Sequence, residues 1–123
     1  MTSPRPLSDR EREVLDFLLA DPDERLAPLR AQAETATVTG MCECGCPTIY
    51  LDVDRTLPPA ALGSPAVETG TREEAGMDPS SYVGLILFLD EGFLDVIELW
   101  YISSPPPAEF RSPLALAQPS ISG

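Results

Sequence analysis

Apolar and polar positions repeat with two different periods along this chain, and the change of period divides it. From Asp9 to Ala20, Val14, Leu15, Leu18 and Leu19 recur at helical spacing, while Arg10, Arg12, Glu13 and Asp16 can face water, the pattern of an amphipathic helix. Ser8 followed by Glu11 predicts a capping box at its start, and Pro22 ends it. A second, shorter helix is predicted between Asp23 and Ala33, with Leu26, Leu29 and Ala33 as its apolar face. Pro28 is tolerated only in a first turn, so the ordered part is expected to start near Ala27.

Beyond Ala33 the period becomes two. Thr35 to Met41 is rich in β-branched residues, and Thr48 to Asp54 alternates Ile49, Leu51 and Val53 with Tyr50, Asp52 and Asp54, as in a strand with one buried face. Between the two runs lies Cys42-Glu43-Cys44-Gly45-Cys46-Pro47, whose Gly and Pro mark a turn. A hairpin with the cysteines at its closed end is expected. Tyr82 to Leu89 is almost wholly apolar and reads as a strand covered on both faces. Asp90-Glu91-Gly92 is a turn, and Phe93 to Ile102 returns as a strand. Simple alternation puts Phe93, Ile97, Leu99 and Tyr101 on one face, with Leu94, Val96, Glu98 and Trp100 on the other. The fold class is therefore α+β, with one or two N-terminal helices packed on a mainly antiparallel four-stranded meander. Residues 1–7 read as a flexible arm, and 8–102 as a single domain interrupted by a long loop at 55–81. Residues 103–123 read as a Pro/Ser-rich tail.

Length and charge then narrow the function classes. With 123 residues there is one domain with a modest core, which a dimer or a bound ion would help. Eight basic residues, all Arg, stand against 20 acidic ones, for a net charge of −12, and there is no Lys and no His. Histidine bases, histidine metal sites, Schiff-base lysines and lysine-bearing phosphate loops are excluded. A pI near 4.1 argues against nucleic acid and against anionic membranes as partners. The longest apolar run, Val83 to Leu89, is far short of the ~20 residues a transmembrane helix needs. The N-terminal residues lack the apolar core of a signal peptide, so a cytoplasmic protein is expected. There, dense cysteine is uncommon and structural disulfides are not the default.

All three cysteines fall within five residues. Three readings of Cys42, Cys44 and Cys46 stand side by side. One is a tight turn in which the thiols pack as weak hydrophobes. Another is a site for a soft ion such as Zn²⁺ or Cu⁺. The fourth zinc ligand would come from Glu43, Asp52, a partner chain or water. The third is a redox pair of Cys42 with Cys46 across the hairpin.

The run Ile49-Tyr50-Leu51-Asp52-Val53-Asp54-Arg55-Thr56-Leu57 resembles the first motif of the haloacid-dehalogenase-like phosphatases. The resemblance implies Asp52 as phosphoryl-accepting nucleophile and Asp54 as acid/base, with Mg²⁺ held between them. That chemistry also needs a phosphate-neutralising Lys and a doubly wound parallel sheet, and neither is indicated, so no enzyme is expected here. A second likeness covers residues 7–102. Leu7-Ser8 before a Glu-rich helix, Cys44-Gly45-Cys46-Pro47-Thr48, and Asp90-Glu91-Gly92 followed by Leu94 and Ile97-Glu98 are similar to a group of small actinobacterial proteins of unknown function. That group carries an early C-x-C-G-C-P turn and a D-x-G hairpin. The likeness implies a fold and no activity.

The leading expectation is thus a small acidic, non-enzymatic binding or accessory protein. Residues 42–123 hold 12 acids against Arg55, Arg72 and Arg111, an acidic face suited to a basic protein partner, of which an immunity role is one form. The alternative is a metal-binding protein built on Cys42, Cys44 and Cys46, and a third reading is a phosphatase using Asp52.

Overall fold

The computed structural model describes residues 3–73, 76–78, 81–103 and 105–122. Residues 1–2 of the expected arm, 74–75 and 79–80 of the expected loop, and 104 and 123 of the expected tail lie outside them. The elements are strand β1 (Arg5–Pro6), helix α1 (Asp9–Leu18), a 3₁₀ turn (Glu24–Leu26), helix α2 (Ala27–Ala33), and strands β2 (Thr37–Met41), β3 (Ile49–Asp52), β4 (Val67–Gly70), β5 (Val83–Asp90), β6 (Phe93–Tyr101) and β7 (Ser120–Ile121). The α+β class is as expected. The sheet has seven strands rather than four, in the order β1-β2-β3-β6-β5-β4-β7, and every named pair is antiparallel. It is not a meander, because β3 lies beside β6 and the chain passes over two positions to reach β4.

The three added strands come from the segments that read as arm, loop and tail. Each is two to four residues long, too short for a period to emerge from the sequence. Arg5 shows how the arm is fixed. Its guanidinium grips the Glu11 carboxylate through two hydrogen bonds of 2.8 and 2.9 Å. Glu11 also accepts the Ser8 N–H and completes the predicted capping box. Burial pushes the Glu11 carboxyl up, but the bonds from Arg5 and Ser8 outweigh it and leave the group below its ordinary value. The tail is held by backbone hydrogen bonds, Ala117 N–H to the Gly70 carbonyl and Ser122 N–H to the Ala66 carbonyl, and by side chains. Phe110 and Leu116 are buried in the core, and Arg10 donates to the Phe110 carbonyl at 3.0 Å.

The two helices cap each other. Arg12 of α1 donates to the Ala33 carbonyl at the end of α2, and Arg30 of α2 donates to the Leu19 and Asp21 carbonyls after α1. Helix C-termini leave carbonyls unpaired, and a guanidinium there also meets the negative end of the helix dipole. Val14, Leu15, Leu18 and Leu29 from this pair, with Leu26 from the 3₁₀ turn, pack with Val38, Ile49, Leu51, Leu85, Leu87, Ile97 and Leu99 from the sheet. Among the described residues no helix is long and apolar enough to cross a membrane.

Strands β5 and β6 differ from the expectation in one informative way. They are joined by a two-residue turn in which Glu91 and Gly92 both have positive φ, 50° and 87°, the twist-matching hairpin type. A methyl on Gly92 would meet the Ala60 carbonyl at 2.6 Å, so glycine is required there by space as well as by φ. The register then shifts: Leu89 faces Leu94, but Phe88 faces Val96, leaving Asp95 as an inserted residue. Such a bulge reverses the parity of the strand. Leu94 therefore joins Ile97 and Leu99 on the buried face, and Phe93 joins Val96, Glu98 and Trp100 on the open one. Strand β5 is buried on one face and half-buried on the other, rather than covered on both.

The bulge is held by Gln32, which is fully buried. Its Oε1 accepts the Leu94 N–H at 2.9 Å. Its Nε2 donates to the Pro58 and Gly92 carbonyls at 3.0 and 3.1 Å. Gln32→Leu keeps the size and strands the Leu94 N–H and the Pro58 carbonyl without partners. Leaving buried groups unpaired costs about 2 kcal/mol or more, so the urea midpoint should fall accordingly with the slope unchanged. A midpoint equal to wild type would show that the bulge does not depend on this side chain.

Candidate metal centre

The cysteines sit where the hairpin reading places them. Strands β2 and β3 pair from Thr37–Asp52 to Met41–Ile49, the Cys42 N–H donates to the Thr48 carbonyl at 3.2 Å, and residues 43–47 close the end. Gly45, at φ 91°, reverses the chain in a conformation that L side chains rarely adopt. The result draws three sulfurs together, with all three Sγ atoms within 4.8 Å of one another. Cys44 is exposed, Cys42 half-buried and Cys46 buried.

Hydrogen bonding within the turn is directional. The Cys44 N–H donates to Cys42 Sγ at 3.5 Å and the Cys46 N–H donates to Cys44 Sγ at 3.4 Å. Cys42 and Cys44 Sγ stand 2.8 Å apart, close enough to share a proton. The Tyr101 hydroxyl at the end of β6 donates to Cys44 Sγ at 3.7 Å. Cys44 is thus surrounded by donors. The Cys42 thiol, the Cys46 thiol and N–H, and Tyr101 pull its thiol down to about 6. The same contact pushes Cys42 up to about 11, because its proton is what offsets the charge on Cys44. Tyr101 is raised as well, chiefly through its bond to Cys44.

The floor of the turn is Thr48. Its buried hydroxyl accepts the Leu99 N–H of β6 at 2.9 Å and the Cys46 thiol at 3.4 Å. Strand β6 therefore holds the turn twice, through the Leu99 backbone and through Tyr101. Neither Thr48 nor Tyr101 is signalled by the sequence. Thr48 reads as the first residue of a strand, and Tyr101 reaches Cys44 from 57 positions along the chain.

The other residues proposed for the site lie elsewhere. Asp52 pairs with Thr37 at the opposite end of the hairpin, so it is not a fourth ligand. Glu43 is exposed on the turn and outside the group of close donor atoms. Arg55 is engaged away from the turn, with its guanidinium on Asp90 at 3.0 Å and over the Phe93 ring. Arg5 is the guanidinium that reaches this end of the sheet, 3.6 Å from Met41 Sδ.

The Asp52–Asp54 motif has a structural use. Asp52 is exposed on a strand whose two neighbours are both antiparallel, unlike the parallel sheet the phosphatase resemblance implies. Asp54 follows the strand and caps a turn, accepting the Thr56 N–H and hydroxyl at 2.9 and 2.6 Å. These bonds hold its carboxyl below the ordinary range. In comparisons with protein-family models, curated proteins and solved structures, the chain matches none.

Thiolate is the reactive form of cysteine, so the turn should alkylate selectively. With Cys44 lowered to about 6, its thiolate predominates above that pH and is lost below it. Limiting iodoacetamide at pH 7 should give a first adduct on Cys44, at a rate that is near its plateau and falls as pH drops through 6. Cys42, held near 11, should be left unmodified in that singly labelled species. Peptide mapping reads the outcome, and a first adduct on Cys42 or Cys46 would contradict it.

Proposed function

We propose that this protein binds a thiophilic metal ion, Zn²⁺ or Cu⁺, through Cys42, Cys44 and Cys46. The observation that supports it is the convergence of three sulfurs within 4.8 Å on a turn anchored to β6. Thiolates at ~2.3 Å from a tetrahedral zinc sit about 3.8 Å from one another. Small side-chain rotations reach that spacing, opening the Cys42–Cys44 contact and leaving β2 and β3 in place. With no His or Lys in the chain, a cation is the natural counter-charge for sulfurs gathered this closely. Cu⁺ is satisfied by the soft sulfur set. Zinc takes a fourth ligand from water or a second chain.

Binding displaces the protons that Cys42 and Cys46 carry as thiols, so affinity rises with pH. For each proton displaced, the affinity at pH 8 exceeds that at pH 6 by on the order of 100-fold. Titration of reduced full-length protein with Zn²⁺, and separately with Cu⁺, should give one ion per chain, or per dimer where a second chain completes the site. Cys44→Ser should abolish the tight phase. Absence of binding at both pH values, or tight binding that survives Cys44→Ser, would overturn the reading.

A second reading, a binding or accessory role toward a protein partner, is favoured by the sheet face turned away from the helices. Tyr50 and Trp100 are 45% and 51% exposed there. Tyr50 lies across from Val96 and Val96 from Phe88, while Ile86 sits between Glu98 and Glu68. Asp52, Glu68 and Glu98 are exposed and make no ion pair among the described residues. An apolar stripe flanked by unpaired acids suits a cationic segment of another protein, and an immunity role is one form of that. Trp100 is the only tryptophan and reports on this face. Titration with an arginine-rich peptide should shift its emission in a salt-sensitive way, and Glu98→Gln should weaken the effect. An equal response to a neutral peptide, or burial of Trp100 in a self-associated dimer, would count against it.

A further inference from the structure

We propose that Cys42 and Cys44 form a dithiol–disulfide couple that exchanges with small-molecule disulfides such as oxidised glutathione, Cys44 attacking, Cys42 resolving and Cys46 taking no part. This uses two of the three sulfurs assigned above to metal, but it does not depend on that assignment and operates in the metal-free protein.

Geometry separates the three cysteines into two roles. Cys44 is the exposed one, so a disulfide in solution meets it first. Cys42 Sγ is 2.8 Å from Cys44 Sγ, so the resolving sulfur already touches the sulfur it must attack. Cys46 is 4% exposed and its thiol is directed to the Thr48 hydroxyl at 3.4 Å, beneath the turn. The proposed couple therefore joins two residues two positions apart, rather than Cys42 with Cys46 across the hairpin. Two residues span at most about 7 Å, and Cα atoms joined by a disulfide usually lie ~4.4–6.8 Å apart. Tightening the turn at Glu43 suffices to close the bond, leaving the β2–β3 register and the core behind it unmoved.

The exchange proceeds in two displacements. Cys44 Sγ, as thiolate, attacks one sulfur of RS–SR, forming Cys44–S–S–R and expelling RS⁻, which takes up a proton. Cys42 then gives up its proton and attacks Cys44 Sγ, forming the Cys42–Cys44 disulfide and expelling the second RS⁻, which is protonated in turn. The two protein thiols are oxidised by two electrons, the small disulfide is reduced by two, and two RSH leave. The Cys46 N–H and Tyr101 hydroxyl, both directed at Cys44 Sγ, hold it for attack.

The test incubates reduced, chelator-treated full-length protein with oxidised glutathione and maps the products by mass spectrometry. Wild type should end as a Cys42–Cys44 disulfide with two glutathiones released per chain and Cys46 still a free thiol. A parallel Zn²⁺ titration of the same reduced, chelator-treated wild-type protein separates the two readings, since exchange without metal binding defeats only the metal reading and metal binding without exchange defeats only this proposal. Cys42→Ser should halt at a stable Cys44–glutathione adduct. A disulfide that includes Cys46, or a wild-type protein that stops at the same adduct as Cys42→Ser, would overturn the proposal. The wild-type map needs no variant to fold, so the test survives an unstable mutant.

Discussion

The hydrogen bond from the Leu94 N–H to Gln32 Oε1 fixes the register of β6, and most of the molecule is arranged around that register. A bulge leaves one ladder group without a strand partner, and a helix side chain supplies the partner at 2.9 Å. From that point β6 alternates in step with β5, with Ile97, Leu99 and Tyr101 on the core side. Because side chains alternate with a period of two, a slip of one residue would turn Tyr101 to the far face and put Trp100 in its place. The same slip would move the Leu99 N–H off Thr48. A contact between α2 and the first turn of β6 thus decides, seven residues later, what meets the cysteine turn.

The turn in its own right is a crowded gathering of three thiols, and its neighbours make it tolerable. Backbone N–H groups of Cys44 and Cys46, the Tyr101 hydroxyl and the shared proton of Cys42 all face the sulfurs. Thr48 below them uses its hydroxyl twice, for a buried N–H of the adjacent strand and for the Cys46 thiol. It joins the chemistry of the turn to the packing of the core. The sheet edges are managed by the terminal segments: β1 and β7, each two residues long, cover β2 and β4 and leave little edge for another chain to extend.

Local pattern made the helices, the capping box, the cysteine hairpin and the Asp90–Gly92 turn legible in the sequence, because each is specified by residues within a few positions of one another. Long-range specification was not legible. Arg5 is strand through its pairing with Val38 while Glu11 grips its side chain, β4 and β7 are defined by pairing with β5 and with each other, and Phe110 is core once the chain has come back over α1. Simple alternation misplaces Phe93 and Leu94 on β6, since it carries no trace of an inserted residue. For the site, spacing identified the three sulfurs and the turn that gathers them. It offered Asp52 as a neighbour, where the fold supplies Tyr101 instead. Strand order alone determines which side chain reaches a hairpin end, and that order is not a local property.

Metal binding and disulfide formation at this turn are alternatives rather than companions. A Cys42–Cys44 disulfide removes two of three donor sulfurs, and Cys46 and Thr48 together make a poor site for a soft ion. A bound cation, conversely, occupies the lone pairs that attack a disulfide and separates Cys42 from Cys44 beyond their present contact. Both states answer the same electrostatic problem. In a chain of charge −12 without Lys or His, negative charge on clustered sulfurs is offset by protons, by a metal, or by removing the charge in an S–S bond. The core needs none of the three, because its nearest members, Ile49 and Leu99, are fixed through Thr48 and the β3–β6 ladder. On the two proposals, the turn would exchange one state for another at constant fold.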